Sequence, residues 1–378
     1  MAYSQRGSPT VQGYSLPAED LEYVLAQTCG QWEELRGGRL FVTGGTGFFG
    51  AWLVESFLWA NEKLALDASV TLLTRNPQAF FHRMPHLAQC RQLRLSQGDV
   101  RSFAFPEGSF SHVIHAAATS TGIHTAEDRL ELLDTIIEGT RRVLQFACQC
   151  RAEQLLLVSS GAVYGRQPAG VSHISEDYTG APDPMDPTSS YGQGKRAAEH
   201  LGRLFAESSR LQVKIARPFA LIGPYLPLDA HFAAGNFIRD ALLGGPIRVQ
   251  GDGTPYRSYL YAADLAVWLW TIFFRGVSCR PYNVGSEAAV TIGELASMVA
   301  SQFQPPLAVE IAKEPSAGQP PERYVPSCFR ASNELDLRQK IVLPEALRRT
   351  IRWHAGAGGL SRPGNLRADS PEAQTAGS

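Results

Sequence analysis

Tyr191 and Lys195 stand four residues apart in the segment YGQGKRAAEHLGRLF. On a helix that spacing puts both side chains on one face, one turn from each other. A lysine ammonium beside a phenol favours the phenolate, and so lowers the phenol pKa toward the range of a general acid/base. Upstream, QLLLVSS reads as a buried strand ending in Ser159-Ser160. A hydroxyl at a strand's carboxyl end sits where ligands bind in open parallel sheets. Ser160 is therefore expected to hydrogen-bond the same substrate oxygen that Tyr191 protonates or deprotonates. Together the three groups suit hydride transfer between an alcohol and a carbonyl.

Such a reaction needs a nicotinamide cofactor, and the chain has a place for one. The apolar strand RLFVT runs straight into Gly44-Gly45-Thr46-Gly47-Phe48-Phe49-Gly50, where a helix begins. Gly44 permits the tight turn, Gly47 lets the backbone approach a pyrophosphate, and Gly50 lets helix and strand pack closely. Phe48 and Phe49 fall within the same loop. The next strand ends in Leu73-Thr74-Arg75-Asn76, with no carboxylate for a ribose 2'-hydroxyl. An arginine there suits a 2'-phosphate, so NADP(H) is favoured over NAD. Asp99, with Val100 beside it, follows the third strand and is expected to accept a hydrogen bond from the adenine amine.

These groups are positioned by alternating strands and helices. RLFVT, SVTLLT, HVIHAAA, QLLLVSS and VKIARP are near-continuous apolar strands, and helical patterns run over Phe48–Glu62 and Leu130–Cys150. That alternation predicts an α/β fold, a Rossmann-type doubly wound parallel sheet covered on both faces. After Arg217 the elements shorten and Pro and Gly increase, the composition of a smaller C-terminal α/β subdomain that binds substrate. The expected division is a helical N-terminal extension at 1–37, covering the sheet's edge, and an NAD(P)-binding domain at 38–217 with return segments from 218–285. The substrate subdomain follows at 218–350, and a disordered Gly/Ser/Ala/Pro-rich tail at 351–378.

The formal net charge of -1 gives no global field for nucleic acid or an anionic membrane. Six cysteines without a CxxC pair indicate neither a disulfide frame nor a metal site. No secretory signal opens the chain, and its most apolar run, Leu265 to Phe274, is about half the length a bilayer requires. A cytoplasmic location is expected.

The GGTGFFG loop, HAAA, SSGAVYG, YGQGK and RPFALIGP together resemble the extended short-chain dehydrogenase/reductases, the nucleotide-sugar epimerase/dehydratase group. The resemblance spans roughly Arg39 to Ala346. It implies Ser160, Tyr191 and Lys195 as the catalytic triad. It places Gly44, Gly47, Gly50, Asp99, Ala116, Ala117, Ala118 and Pro218 around the cofactor, with Ser120 on the substrate side. The segment GNFIRDALLGGPIRVQGDGTPYRSYLYAADLA is similar to the substrate half of nucleotide-sugar enzymes, which implies that Asn236 and Arg257 hold a nucleotide diphosphate, helped by Arg323. It also implies a homodimer through Leu130–Cys150 and the helix starting at Tyr191.

Two departures narrow the reaction. Dehydratases of this group carry an Asp-Glu pair directly after the catalytic hydroxyl residue, and the decarboxylases a glutamate at the second position. Here those positions are Gly161 and Ala162. A 4-epimerase of a nucleotide-diphosphate sugar needs only Ser, Tyr, Lys and cofactor, and is the expected activity. An NADPH-dependent 4-keto-sugar reductase is the alternative. A 4,6-dehydratase and a UDP-glucuronate decarboxylase rank lower, and an NADP-binding sensor without chemistry is the non-enzymatic reading. The second departure is Phe219-Ala220-Leu221, where the group commonly has an asparagine that contacts substrate phosphate.

Overall fold

The computed structural model describes residues 16–117, 123–230, 232–316, 318, 320–357 and 366. In chain order, α1 (Ala18–Gln27), β1 (Arg39–Thr43), α2 (Phe48–Lys63), β2 (Ser69–Thr74), α3 (Pro77–Arg83) and β3 (Leu93–Gln97) come first. They are followed by β4 (His112–His115), α4 (Ala126–Gln149), β5 (Gln154–Val158), α5 (Ser190–Ser208) and β6 (Gln212–Pro218). Shorter elements come next: β7 (Leu221–Ile222), α6 (Ala233–Leu242), β8 (Ile247–Val249), β9 (Tyr256–Arg257) and β10 (Leu260–Tyr261). α7 (Ala262–Arg275) and β11 (Pro281–Val284) return to the large sheet. The chain continues as β12 (Val290–Thr291), α8 (Ile292–Ala300), β13 (Val309–Ile311), β14 (Arg323–Tyr324), α9 (Phe329–Leu335) and α10 (Leu343–Ala357).

The large sheet has spatial order β3-β2-β1-β4-β5-β6-β11, with every pair parallel. Alternate residues of each strand serve opposite cores. Leu40, Val42, Ile114, Leu156 and Val158 pack with α2 and α7. Phe41, Val113, Leu155 and Leu157 face α4 and α5. Both faces are buried, which is why these strands read as unbroken apolar runs. Strand order reverses between β1 and β4, and the carboxyl ends there open the crevice in which such sheets bind ligands.

α7 is apolar on every side because it has no free side. It lies on the sheet beside α2 and beneath α1, and all its residues from Ala262 to Phe274 are buried. The N-terminal extension therefore covers α2 and α7, not the sheet's edge, since the edge strands are β11 and β3. Buried carboxylates fasten it. The Tyr261 hydroxyl donates to Asp20 at 2.6 Å and Arg349 reaches its other oxygen at 2.6 Å. Tyr23 donates to Asp264 at 2.5 Å, and the Leu16 N–H to Glu55 at 2.9 Å. The helical spacing of the extension stops at Gln27. Gly30, with φ of 81°, turns the chain before a short 3₁₀ turn at Trp32–Leu35.

The remaining pieces form small sheets, β7 with β10, β8 with β13, and β12-β9-β14. α10 runs through 351–357, where a disordered tail was expected to begin, because Leu347 and Ile351 are buried in the core. The rest of that tail lies outside the described residues except for Leu366, which bridges to Phe303. Among the described residues no helix is long and apolar enough to cross a membrane.

Candidate active site

The glycine loop has the shape its spacing implies. Gly44 has φ of 74°, and a Cβ there would lie 2.5 Å from the Ala116 carbonyl oxygen. A Cβ at Gly50 would lie 2.2 Å from the Gly44 oxygen, so helix and turn touch backbone to backbone. Gly47 caps α2 and would meet only the Gly44 oxygen, at 3.4 Å. That leaves an open cradle at the amino end of a sixteen-residue helix, whose free N–H groups and dipole suit a pyrophosphate. Phe48 and Phe49 lie side by side in the first turn, ring centres 5.6 Å apart. One cation the sequence reading missed reaches this loop: Arg83 of α3 donates to the Thr46 carbonyl at 2.7 Å.

Across the crevice, the end of β4 is held by a buried histidine. His115 Nδ1 lies 2.7 Å from the Thr43 hydroxyl and Nε2 lies 3.0 Å from that of Thr140. Burial pushes the imidazole down to about 3, so it stays neutral. The Thr43 oxygen also accepts the Ala117 N–H at 3.4 Å, which fixes Ala116 and Ala117 opposite the glycine loop. Ala118 and Ser120 lie outside the described residues. Arg75 is exposed at the end of β2. Asp99 is gripped by Arg101 at 2.9 and 3.2 Å, which holds its carboxyl below the usual range. That partner was not foreseen. Val100 turns its side chain into the core against α4, leaving only its backbone toward the crevice. Pro218 ends β6, buried and paired with Val284.

Ser160 caps the short turn Gly161–Tyr164 and accepts the Ala162 N–H at 3.1 Å, so its own O–H remains free to donate. α5 comes close to this turn, since a Cβ at Gly192 would lie 2.6 Å from the Ala162 oxygen. That approach brings Tyr191 to Ser160. Lys195, fully buried one turn on, donates to the Val158 carbonyl at 2.8 Å, with its nitrogen 5.8 Å from the centre of the Tyr191 ring. The triad therefore converges at the carboxyl end of β5.

Its electrostatics differ from the expected pattern in one respect. Burial raises the Tyr191 phenol above its ordinary value, and the neighbouring Ser160 hydroxyl draws it back only partly. The Lys195 ammonium is aimed at a backbone carbonyl and stands over the ring, so it does not lower the phenol as spacing alone suggested. Burial pushes Lys195 itself down to about 8, against the pull of Glu199.

Position 161 is crowded. A Cβ there would lie 2.7 Å from two ring carbons of Phe219 and 2.7 Å from the Tyr324 hydroxyl. Phe219, standing where an asparagine is common, packs against Tyr324 with ring centres 4.6 Å apart and planes tilted by 33°. Gly161→Ala should therefore cost about 1–3 kcal/mol in urea denaturation, as overpacked sites do, and slow turnover as well. A variant as stable and active as the parent would show that this wall yields freely.

The diphosphate candidates are less convergent. In the β9–β14 pairing Arg257 stands beside Tyr324 and Tyr256 beside Arg323. Adjacent strand residues face opposite ways, so Arg257 shares the Tyr324 face, while Arg323 stacks on the Tyr256 ring at 4.0 Å. Arg323 thus lies on the far face from Ser160. Arg257 donates to the Tyr256 carbonyl at 2.8 Å and lies 3.8 Å from Glu322, and Asn236 sits half-buried on α6. Among the described residues no cluster of His, Cys, Asp and Glu could hold a metal ion. A cavity of about 740 Å³ lies away from this site, between α1 and α2, with Leu16, Glu55, Trp59 and His86 in its walls.

A seven-stranded doubly wound sheet with a glycine cradle at β1 and a Ser-Tyr-Lys group at β5 defines an extended short-chain dehydrogenase/reductase. The chain belongs to the NAD dependent epimerase/dehydratase family, whose model matches residues 40–285. It is 30% identical over 309 residues to UDP-glucuronic acid decarboxylase 6 of Arabidopsis thaliana, covering 82% of this chain and 86% of that one. It is similar to MoeE5, solved in complex with UDP-glucuronic acid and NAD, at 27% identity and TM-score 0.66 over 84% of this chain and 98% of that one. A UDP-N-acetylglucosamine 4-epimerase from Methanobrevibacter ruminantium M1 shares the fold, with TM-score 0.71 at 19% identity over 84% of this chain and 97% of that one. The chain is an enzyme of this family, which sets aside the sensor reading.

Proposed function

We propose that this enzyme is a nucleotide-sugar 4-epimerase, with UDP-glucuronic acid the first substrate to try. One observation carries the reading: the Ser160, Tyr191 and Lys195 side chains converge, while Gly161 and Ala162 bring no carboxylate to the neighbouring carbons. The dinucleotide would be held by Gly44, Gly47, Gly50, Phe48 and Phe49 at its pyrophosphate, by Ala116, Ala117 and Pro218 across the crevice, and by Arg75 and Asp99 at the adenosine end. When bound, it accepts and returns the hydride that no side chain can carry. Tyr191 takes the proton of the sugar 4-hydroxyl as that carbon is oxidised and gives it back to the same oxygen after the 4-keto sugar has turned over to present its other face for reduction. Ser160 donates to the developing carbonyl oxygen, and Lys195 would orient the cofactor ribose. Asn236 and Arg257 would bind the diphosphate. Arg75, at the end of a strand with no carboxylate, supports NADP(H) over NAD. The packed pair α4 and α5, with Leu130 and Leu204 exposed on it, supports a homodimer.

The decarboxylase relatives favour a second reading, in which the 4-keto uronate loses carbon dioxide and a proton is delivered to C5. Incubation with UDP-glucuronic acid and UDP-glucose, with NAD, NADP or NADPH, separates these. An epimer of unchanged mass is expected without net cofactor use. A product lighter by carbon dioxide would install the decarboxylase reading, and stoichiometric NADPH consumption on a 4-keto sugar the reductase.

A further inference from the structure

One of the two side chains that crowd position 161 comes from the other end of the chain. Tyr324 lies on the two-residue strand β14, and its hydroxyl stands 2.7 Å from where a Gly161 Cβ would be. Its ring is partly buried against Phe219, and its pairing with β9 sets it beside Arg257, on the face away from Arg323. Ser160 and Tyr191 are both close enough to influence its titration.

We propose that Tyr324 is a specificity-determining residue whose hydroxyl donates a hydrogen bond to the C6 carboxylate of a nucleotide-linked hexuronic acid. The inference rests on the 4-epimerase reading above and names the feature of the sugar that the site reads. Ser160 addresses the oxygen on C4, so the position after it faces the next ring carbon and its substituent. In this chain that volume belongs to Tyr324, because glycine at 161 leaves it free and Phe219 props the ring in place. A phenol differs from a carboxylate there in a way that matters. Burial raises Tyr324 far above the ordinary phenol value, so it remains an O–H at every working pH and acts as a donor, not a base. A carboxylate at this position would repel a C6 carboxylate. A neutral donor attracts it, and a hydrogen bond to a charged acceptor is the stronger kind.

The test compares three sugars that differ only at this point: UDP-glucuronic acid, UDP-glucose, and UDP-xylose, which has no C6. In the full-length chain, Tyr324→Phe keeps the ring and its packing on Phe219. We expect KM, and Kd by calorimetry, to rise roughly ten- to hundredfold for UDP-glucuronic acid, the usual loss for a bond to a charged group. Values for UDP-xylose should be unchanged, as should NADPH fluorescence on binding. Tyr324→Gln, which restores a donor, should recover part of the discrimination. Equal losses on all three sugars, or a fall in kcat with KM and Kd unmoved, would mean that Tyr324 acts only through Ser160 and would overturn the proposal. If the parent turns over none of the three, the epimerase reading fails by itself, and the calorimetric Kd comparison still decides the role of Tyr324.

Discussion

Replacing Tyr191 with phenylalanine should lower kcat by about 10²–10⁴-fold while leaving cofactor affinity and melting behaviour near those of the parent. The ring is half-buried, packed against the core that α4 and α5 share, and phenylalanine fills the same space. What is lost is one oxygen that takes and returns the proton of the sugar hydroxyl. Ser160 cannot substitute, because its oxygen already accepts the Ala162 N–H at 3.1 Å and its own O–H is the donor to the sugar oxygen. Lys195 does not replace it, since its nitrogen stands 5.8 Å from the centre of the Tyr191 ring and donates to the Val158 carbonyl behind it. Fluorescence of bound NADPH separates loss of chemistry from loss of cofactor, and the melting curve reports the fold. A variant keeping more than a tenth of parental kcat would place the proton transfer elsewhere.

How far the site was legible follows from how local each signal is. The glycine loop, the strand before it and the helix after it are contiguous, so Gly44, Gly47 and Gly50 could be assigned distinct steric tasks from spacing alone. Tyr191 and Lys195 are one helical turn apart, and Ser160 ends a strand whose apolar run is unmistakable. Tyr324 was invisible for the opposite reason. A two-residue strand has no periodicity, and only its pairing with β9 reveals which of Arg323 and Tyr324 points inward. The direction of the Tyr191 shift was also out of reach, because it depends on where the Lys195 ammonium points and on burial, neither of which four-residue spacing specifies. The N-terminal extension showed helical spacing but not its seat. That seat is set by buried pairs such as Tyr261 with Asp20, which are remote in sequence.

The network beneath the triad leads to the second large effect. Glu199, one turn beyond Lys195 on α5, binds Arg217 of β6 through both its oxygens, at 2.9 and 2.6 Å, and accepts the Ser159 hydroxyl at 2.5 Å. Arg217 also donates to Tyr164 at 2.8 Å, and Tyr164 donates to Asn283 of β11 at 2.7 Å. One chain of polar groups thus ties α5 and the Ser160 turn to two strands of the sheet. Glu199 and Arg217 are only 12% and 13% exposed, so neither can find water if the other is removed. Glu199→Ala should therefore cost about 3–5 kcal/mol, the penalty for a buried charge stripped of its partner, seen as a lower urea midpoint. Glu199→Gln should cost less, because its amide still bonds Ser159 and one arm of Arg217. Both variants also remove the carboxylate that partly offsets burial of Lys195. With that pull gone, the Lys195 pKa falls below about 8, so the ammonium is lost at lower pH and the alkaline limb of kcat/KM moves toward neutrality. Glu199→Gln, the milder variant, is the one in which to read that shift. An unchanged alkaline limb there would mean that Glu199 supports the fold without tuning the triad, and a parental urea midpoint in Glu199→Ala would mean that Arg217 finds water after all.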